Sequence, residues 1–246
     1  MRRLCGENLN FIVNWLNKHG YEVAVFPVVD PARLGLPARR ARVYLCASLI
    51  GSEAKNQFAV EAPMVYQSLQ GPALSLASVD DFLKVSSARP GPEPRPSKRQ
   101  KHCKWESDFL RQLVARPLNL ERNSALEVSQ ERFVGEQILS ERELAVLKIA
   151  VDSKNGVRFV DVSQSGGRAP SGENIVPCIT PGGKLFDIAR GCFLSGREKL
   201  HLQGIFPSQP ADPELDDLET DLAGNAFCAP AFLAVFMSAL VSLAPA

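Results

Sequence analysis

Apolar residues near the start of the chain recur with a helical period and then in two strand-like runs. Between Leu9 and Leu16 they follow the i, i+3, i+4, i+7 spacing of a single helical face. Asn8 stands where an N-cap is needed, and Gly20 stands where a helix can stop. The pattern therefore predicts a helix from Leu9 to His19, capped by Asn8.

Two β-branched and aromatic runs follow this helix. They are YEVAVFPVV, residues 21–29, and ARVYLCASLI, residues 41–50. The second run has so few polar positions that we expect it to be buried on both faces. The stretch DPARLGLPARR between them is punctuated by Pro and Gly and is predicted to be a loop. Helix, strand, loop and strand in this order indicate an α/β layered arrangement.

The middle of the chain is less regular. A Pro-rich and then basic stretch near residues 86–104 predicts an exposed or disordered insert. A solvated linker, a nuclear-import signal and a phosphate-contacting loop all remain open for its basic run. Regular patterns return where Ser140 with Glu143, and later Ser195 with Glu198, form capping boxes. Both pairs are therefore predicted to begin helices.

The C-terminal end of the chain is strongly apolar. An acidic linker, DPELDDLETD, precedes LAGNAFCAPAFLAVFMSAL, which we interpret as a Gly-Asn turn that leads into a terminal helix. The uncharged run APAFLAVFMSALVSLA is shorter than the ~20 residues of a membrane span. We therefore interpret it as a buried core helix, with a tail anchor as the alternative, and expect no membrane partner.

Composition narrows the class of protein. The 246 residues are 45% apolar, enough for a buried core, and their formal net charge is only +1. Contact with nucleic acid therefore has to come from local basic patches. The six cysteines include no C-x-x-C pair, which argues against a disulfide framework or a metal site and favours a reducing compartment.

Three separated segments resemble, in order, parts of the DNA (cytosine-5) methyltransferase family. The first runs from NLNFIVNWL to PARRARVYLCA and looks like the family's helix, strand, loop with GVPQRRRR, and strand. The second, LSGREKLHLQGIFP, is similar to the family's RE..RLQGFP segment. The third, DLAGNAFCAPAFLAV, is similar to its GNAVP segment. Each match alone is weak, and their common order carries the resemblance.

The resemblance implies a fold and a division of the chain. The fold would be α/β: part of a Rossmann-like, S-adenosylmethionine-dependent methyltransferase sheet with an inserted, irregular α+β target-recognition region. Residues 1–50 would supply the C-terminal strands of the catalytic domain. Residues 51–190 would form the target-recognition region, and residues 191–246 would return to the catalytic domain.

The resemblance also implies roles for particular residues. Arg42 would contact O2 of a flipped cytosine, and Arg40, two positions earlier on the rim of the same strand, would support the target-base pocket. A basic strand edge that makes surface ion pairs is the alternative. Asn225 and Ala226 would lie against the methionine end of the cofactor S-adenosyl-L-methionine, with backbone N–H groups of the turn meeting its carboxylate. A plain turn before a core helix is the alternative there.

Structural roles are expected for Asn8, Arg197 and Glu198. Glu198 is the capping-box partner of its helix, and Arg197 is expected to pair with a neighbouring carboxylate. His201, on the same helix, is expected at the surface.

Two further motifs look catalytic but are assigned other roles. Glu7-Asn8 is similar to the family's Glu-Asn element, yet it abuts the predicted helix directly, so capping explains both residues. Pro177-Cys178 is the one Pro-Cys pair in the chain, and it lies outside the place where the family has its nucleophile.

These inferences define an expected function with alternatives. The chain is expected to be the C-terminal part of a DNA (cytosine-5) methyltransferase that acts on double-stranded DNA in the nucleus. Its sequence has neither the family's Gly-rich donor loop nor its Pro-Cys nucleophile segment, so we expect it to be inactive alone. An upstream segment or a second chain would supply the N-terminal half of the domain. The alternatives are a catalytically inactive homologue that acts as a DNA-binding or regulatory module, and an interaction protein with no role on DNA.

Overall fold

The structure is a computed structural model. It describes residues 2–49, 57–70, 77–83, 139, 141–153, 156–164, 171–172 and 174–243. In chain order its elements are α1 (Arg2–Lys18), β1 (Tyr21–Val29), β2 (Arg42–Leu49), α2 (Gln57–Leu69), α3 (Val79–Phe82), α4 (Glu141–Ser153), β3 (Phe159–Asp161), β4 (Ser171–Gly172), β5 (Leu185–Asp187), β6 (Cys192–Phe193), α5 (Gly196–Leu202), α6 (Asp216–Asn225) and α7 (Ala229–Val241). The protein is therefore a mixture of helices and small antiparallel sheets.

The chain divides into two compact units that are discontinuous in sequence. Unit 1 comprises Met1–Leu36, Arg40–Leu76 and Phe227–Ala246, and unit 2 comprises Pro37–Arg39 and Ala77–Ala226. These units follow contacts within the structure and do not test the division predicted at residues 51 and 191. The helix α2 groups with the first two strands, and α5 and α6 group with the middle of the chain.

Unit 1 is built on the antiparallel pair of β1 and β2, which has a register shift between Phe26 and Val29. The helix α2 packs on β1, and α7 packs on α2. Phe26 is fully buried, and its ring meets the ring of Tyr66 edge-on at 5.7 Å. These contacts form a core around β1, on which α1 also packs.

Both strands are confirmed, but the expectation that the second is buried on both faces is wrong. No residue of β2 is fully buried, and Val43 and Leu49 are exposed. Among the described residues β2 pairs with β1 alone, so its other edge has no neighbouring strand. The apolar composition of a strand shows that it is hydrophobic, but it does not determine whether other elements cover one face of the strand or both.

The first helix is confirmed, but its start lies further upstream than predicted. It begins at Arg2 and ends at Lys18, just before Gly20, whose φ is 84°. Asn8 therefore lies inside α1 and is not its N-cap, which corrects the capping role predicted for Glu7-Asn8. A cap-forming residue does not start a helix when the residues before it also adopt helical backbone angles.

Unit 2 contains an antiparallel sheet in the order β4-β3-β5-β6. Its largest apolar cluster includes Phe159, Ile179, Leu185 and Leu202. A second cluster lies between α4 and the sheet. The predicted strand in VRFVDVS is confirmed as β3, and the predicted helix after Ser140 is confirmed as α4. The capping role of Ser140 and the insert near residues 86–104 lie outside the described residues.

The acidic stretch before α7 is helical, so its interpretation as a linker is wrong. A 3-10 turn, Pro213–Leu215, leads directly into α6. Asp216, Asp217 and Glu219 occupy the first turn of α6. Carboxylates are favourable at that end because the helix dipole is positive there. The charge pattern that looked like a solvated linker therefore marks a helix start.

The terminal helix α7 is buried on one face only. Ala231, Val235 and Ser238 are buried, whereas the opposite face exposes large apolar side chains. The helical stretch Pro213–Val241 is long and apolar enough to cross a membrane, with a mean hydropathy of 1.8 in a window that is 33% buried. One such stretch is weak evidence, because core helices of soluble proteins satisfy the same criterion.

Candidate nucleic-acid interface

One carboxylate closes the loop between β1 and β2. Asp30 Oδ1 accepts hydrogen bonds from the backbone N–H groups of Ala32 and Arg40, each at 3.3 Å. The first bond caps the 3-10 turn Pro31–Leu34, and the second holds the far end of the loop. Gly35, at φ 84°, ends the turn in a left-handed conformation that favours glycine. Asp30 therefore fixes the main chain of Arg40 just before β2.

The two arginines predicted for the target-base pocket lie at this end of the loop. Arg42 is the first residue of β2, whereas Arg40 precedes the strand. Arg42 is exposed and donates from Nη1 to the carbonyl of Ala41 at 2.8 Å, and Arg40 is half-buried. Burial raises the pKa of Tyr44, and the positive charges of Arg40 and Arg42 act in the opposite direction. Arg42 and Tyr44 are two residues apart on β2, so their side chains project from the same face of the strand.

The start of α7 adds an aromatic ring and a thiol to these surroundings. The ring centroids of Tyr44 and Phe227 are 5.9 Å apart. Cys228 is buried. Burial raises the pKa of the Cys228 thiol, and the backbone N–H of Ala231 and the charge of Arg40 offset this only in part. Cys228 is therefore a protonated thiol at neutral pH and not an activated nucleophile.

The sequence interpretation missed three residues of this cluster: Asp30, Tyr44 and Phe227. One signal was present for Tyr44, because it continues the two-residue spacing of Arg40 and Arg42 along the chain. No comparable signal was present for Phe227. Its contact with Tyr44 connects the N-terminal and C-terminal segments of unit 1, which are far apart in the sequence. Asp30 also looks like an ordinary turn residue until its bond to Arg40 is known.

The helix α5 carries the confirmed capping box. Ser195 Oγ accepts from the N–H of Glu198 at 3.2 Å, and Glu198 Oε2 accepts from the N–H of Ser195 at 2.9 Å. Glu198 Oε1 also accepts from Arg190 Nη1 at 2.6 Å. Arg190 in turn donates from Nε to the buried carboxylate of Asp187 at 2.9 Å. This chain of charged groups joins α5 to the end of β5.

Arg197 has the carboxylate partner that was predicted for it. Its Nε donates to Glu219 Oε1 at 2.9 Å, and its Nη2 donates to the same oxygen. Its Nη1 donates to the carbonyl of Gln209 at 2.6 Å, and Nη2 donates to the carbonyl of Pro210 at 3.3 Å. The side chains of Arg197 and Glu219 are both buried. Arg197 therefore holds α6 and the segment before it against α5.

His201 is buried, so the expectation of a surface position is wrong. Every residue of α5 is buried, because the helix contacts α3 and α6 as well as the apolar cluster of unit 2. The His201 ring lies 5.1 Å from the ring of Phe206. Burial lowers the pKa of His201, partly offset by a hydrogen bond with the backbone of Phe82. The His201 side chain therefore lies in the interior of unit 2.

Asn225 and Ala226 end α6, so the predicted Gly-Asn turn before the terminal helix is wrong. Asn225 is exposed and donates from Nδ2 to the carbonyl of Asp221 at 3.0 Å. The N–H of Ala226 donates to the carbonyl of Leu222 at 2.7 Å. That N–H group is thus engaged inside the protein. The two residues belong to unit 2, whereas Arg40 and Arg42 belong to unit 1.

Cys178, the cysteine of the Pro-Cys pair, is half-buried with its Sγ 3.7 Å from the carbonyl oxygen of Ile179. In the part of the chain that the structure describes, no three His, Cys, Asp or Glu side chains are grouped so that they could hold a metal ion.

Fold and site together define a mixed helix-and-sheet protein of two units, with arginines and aromatic rings gathered on unit 1. No protein-family model matches the chain, and no curated protein matches it at a significant level.

Proposed function

We propose that the chain is the C-terminal part of a DNA (cytosine-5) methyltransferase, which transfers a methyl group from S-adenosyl-L-methionine to C5 of cytosine in DNA. The observation that carries the proposal is the placement of Arg40, whose main chain Asp30 holds, and Arg42 at the end of this loop, four and two residues before Tyr44. Fixed cationic donors are what a site needs in order to hold a flipped base by its O2 and the flanking phosphates. The order of the three resembling segments supports the same assignment.

Under this proposal β1 and β2 belong to a Rossmann-like sheet, and further polypeptide, upstream or on a second chain, supplies its other strands. Two observations on unit 1 support it. The edge of β2 away from β1 pairs with no described strand, and Val43 and Leu49 of β2 are exposed. Exposed apolar residues beside an open sheet edge are expected where a sheet continues into a partner. Unit 2 would then contain the target-recognition region, and the protein would act on double-stranded DNA in the nucleus.

The cofactor role proposed for Asn225 and Ala226 fits the structure only in part. The N–H of Ala226 is bonded to Leu222 and does not fit a role as donor to the methionine carboxylate. Asn225 is exposed at the end of α6, and its side-chain oxygen is an acceptor that fits the methionine ammonium group. Asn225 is therefore the better candidate of the two.

A second candidate function is a catalytically inactive homologue that binds DNA as a recognition or regulatory module. The absence of a Gly-rich donor loop and of a matching nucleophile segment from these 246 residues favours it. Burial also raises the pKa of the Cys228 thiol, which disfavours its thiolate form.

A methyl-transfer assay distinguishes a complete methyltransferase from the two proposed functions, because neither of them gives activity in this chain alone. The purified chain is expected to transfer no methyl group from labelled S-adenosylmethionine to duplex DNA, because the required thiolate and donor loop are missing from its sequence. Incorporation of radioactive methyl into DNA is the measurement. Turnover that is lost in Cys178→Ser and kept in the half-buried control Cys192→Ser would contradict this expectation.

Salt-dependent binding tests the DNA role that both proposals share. We expect the chain to bind duplex DNA with an affinity that falls steeply with salt, since arginines that contact phosphates release counterions. Arg42→Gln should weaken binding and reduce the slope of log K against log[salt] by about one. The control is Lys18→Gln at the exposed end of α1. Undetectable or salt-insensitive binding, or an equal effect of the two variants, would rule out the proposed interface.

A further inference from the structure

Four aromatic rings of unit 1 form a continuous row that begins beside the two arginines. The ring centroids are 5.9 Å apart for Tyr44 and Phe227, 6.0 Å for Phe227 and Phe232, and 6.0 Å for Phe232 and Phe236. The last two rings are nearly parallel, with an interplanar angle of 8°. We call these four residues the aromatic row.

Most of the aromatic row faces solvent. Phe227 is 64% exposed, Phe232 47% and Phe236 45%. Phe232 and Phe236 lie four residues apart on α7 and therefore project from the same side of the helix. Contiguous exposed rings of this kind leave apolar surface in water and mark a binding surface. The row is therefore a candidate site for a flat, apolar ligand group.

The charges around the row indicate what kind of ligand it fits. Arg42 stands on β2 two residues before Tyr44, Arg40 ends the loop just before that strand, and α7 contains no charged residue. The surface thus combines cations at one end with π faces along its length. A nucleic-acid strand with unpaired bases is complementary to both, because it offers anionic phosphates and planar rings.

We propose that the aromatic row binds unpaired nucleobases, which stack on Phe227 and Phe232 while Arg40 and Arg42 contact the adjacent phosphates. This inference deepens the proposed function and rests on it for the choice of DNA as the nucleic acid. An enzyme or module that handles an extruded base meets a locally unpaired strand, and stacking is sequence-tolerant because every base has a π face. A second copy of the chain would cover the apolar face of α7 without using the arginines.

Binding of the full chain to a short fluorescent single-stranded DNA, followed by anisotropy, tests the proposal. Phe227→Ala should weaken binding about tenfold, the size typical of losing one base–aromatic stack, and leave the salt slope unchanged. Arg42→Gln should lower the slope. The matched control is Phe11→Ala, because Phe11 is 69% exposed on α1 of the same unit and should not change the affinity.

Several outcomes would overturn the proposal. These are an unchanged affinity in Phe227→Ala, or an equal loss in Phe11→Ala. If sedimentation shows an oligomer that Phe227→Ala disperses without loss of DNA affinity, the aromatic row is a contact between copies of the chain. If the chain binds anionic vesicles and not DNA, the row is a lipid-binding surface. If Phe227→Ala fails to fold, Phe227→Leu replaces it, since leucine keeps the apolar contact and removes the ring. Wild-type binding to single strands but not to duplex DNA would reject the proposed function while leaving the row supported.

Discussion

Replacing Arg197 with methionine should lower the free energy of unfolding of unit 2 by about 3–5 kcal/mol, the usual effect of removing one partner of a buried ion pair. Glu219 would keep a buried carboxylate without its cation, and the carbonyls of Gln209 and Pro210 would lose their donor. Urea unfolding followed by circular dichroism measures the change. The transition should shift to lower urea without a change of slope.

Two further variants show whether burial is the cause. Arg39→Met alters an exposed arginine of the same unit and should change stability by no more than about 0.5 kcal/mol. The double variant Arg197→Met with Glu219→Met should recover much of the loss, because no buried charge then remains unpaired. A cost below about 1 kcal/mol for Arg197→Met, as for a surface pair, would disprove the structural role assigned to it.

Gly224→Ala should also destabilise unit 2, by about 1–3 kcal/mol or more, as overpacked positions do. A Cβ at residue 224 would lie 2.2 Å from the backbone nitrogen of Pro181 and 2.4 Å from the carbonyl carbon of Thr180. These are main-chain atoms and cannot rotate away, so α6 would have to move. Thermal unfolding of the purified variant is the measurement.

Gly6→Ala is the matched control, because it adds the same methyl group to a glycine inside another helix. A Cβ at Gly6 would meet nothing within 4 Å, and alanine is a better helix former than glycine by about 1 kcal/mol. The two substitutions should therefore shift the melting temperature in opposite directions. Equal or improved stability of Gly224→Ala would show that α6 does not approach Pro181 as closely as described.

Sequence patterns predicted helices and strands well where the pattern spans only a few neighbouring residues. The apolar periodicity of α1, the β-branched runs of β1 and β2, and the capping box of α5 each depend on residues within a few positions of one another. Such signals reveal that an element exists more reliably than where it begins. Asn8 illustrates the difference, because it is a good cap residue that the helix simply passes through.

The same local patterns did not predict which residues contact each other when they are far apart in the sequence. Arg197 was expected to have a carboxylate partner, but Glu219 is 22 positions away and stands in a stretch that looked like a linker. His201 appeared polar and exposed, yet its helix is enclosed by unit 2. Burial depends on what packs around an element, and a single sequence does not contain that information in periodic form.

The candidate site shows the same limit. Arg40 and Arg42 were singled out from their alternate spacing and from the family resemblance, and the structure places Arg42 on the same strand as Tyr44. The aromatic row was missed because it unites Tyr44 with residues near the other end of the chain. The local structure around Asn225 and Ala226 was predicted wrongly for a different reason, because GNAF was interpreted as the start of a helix although it includes the end of α6.

The membership of α7 in unit 1 has a consequence for how the protein is made. The elements α1, β1, β2 and α2 are translated before Ala77–Ala226, but the helix that packs on α2 is translated only after that segment. At usual elongation rates that delay is on the order of ten seconds. During that time the face of α2 that α7 covers stays open to chaperones, whereas unit 2 has all its residues as soon as Ala226 has been added. A premature stop codon just before Phe227 would therefore leave unit 2 whole and unit 1 unfinished.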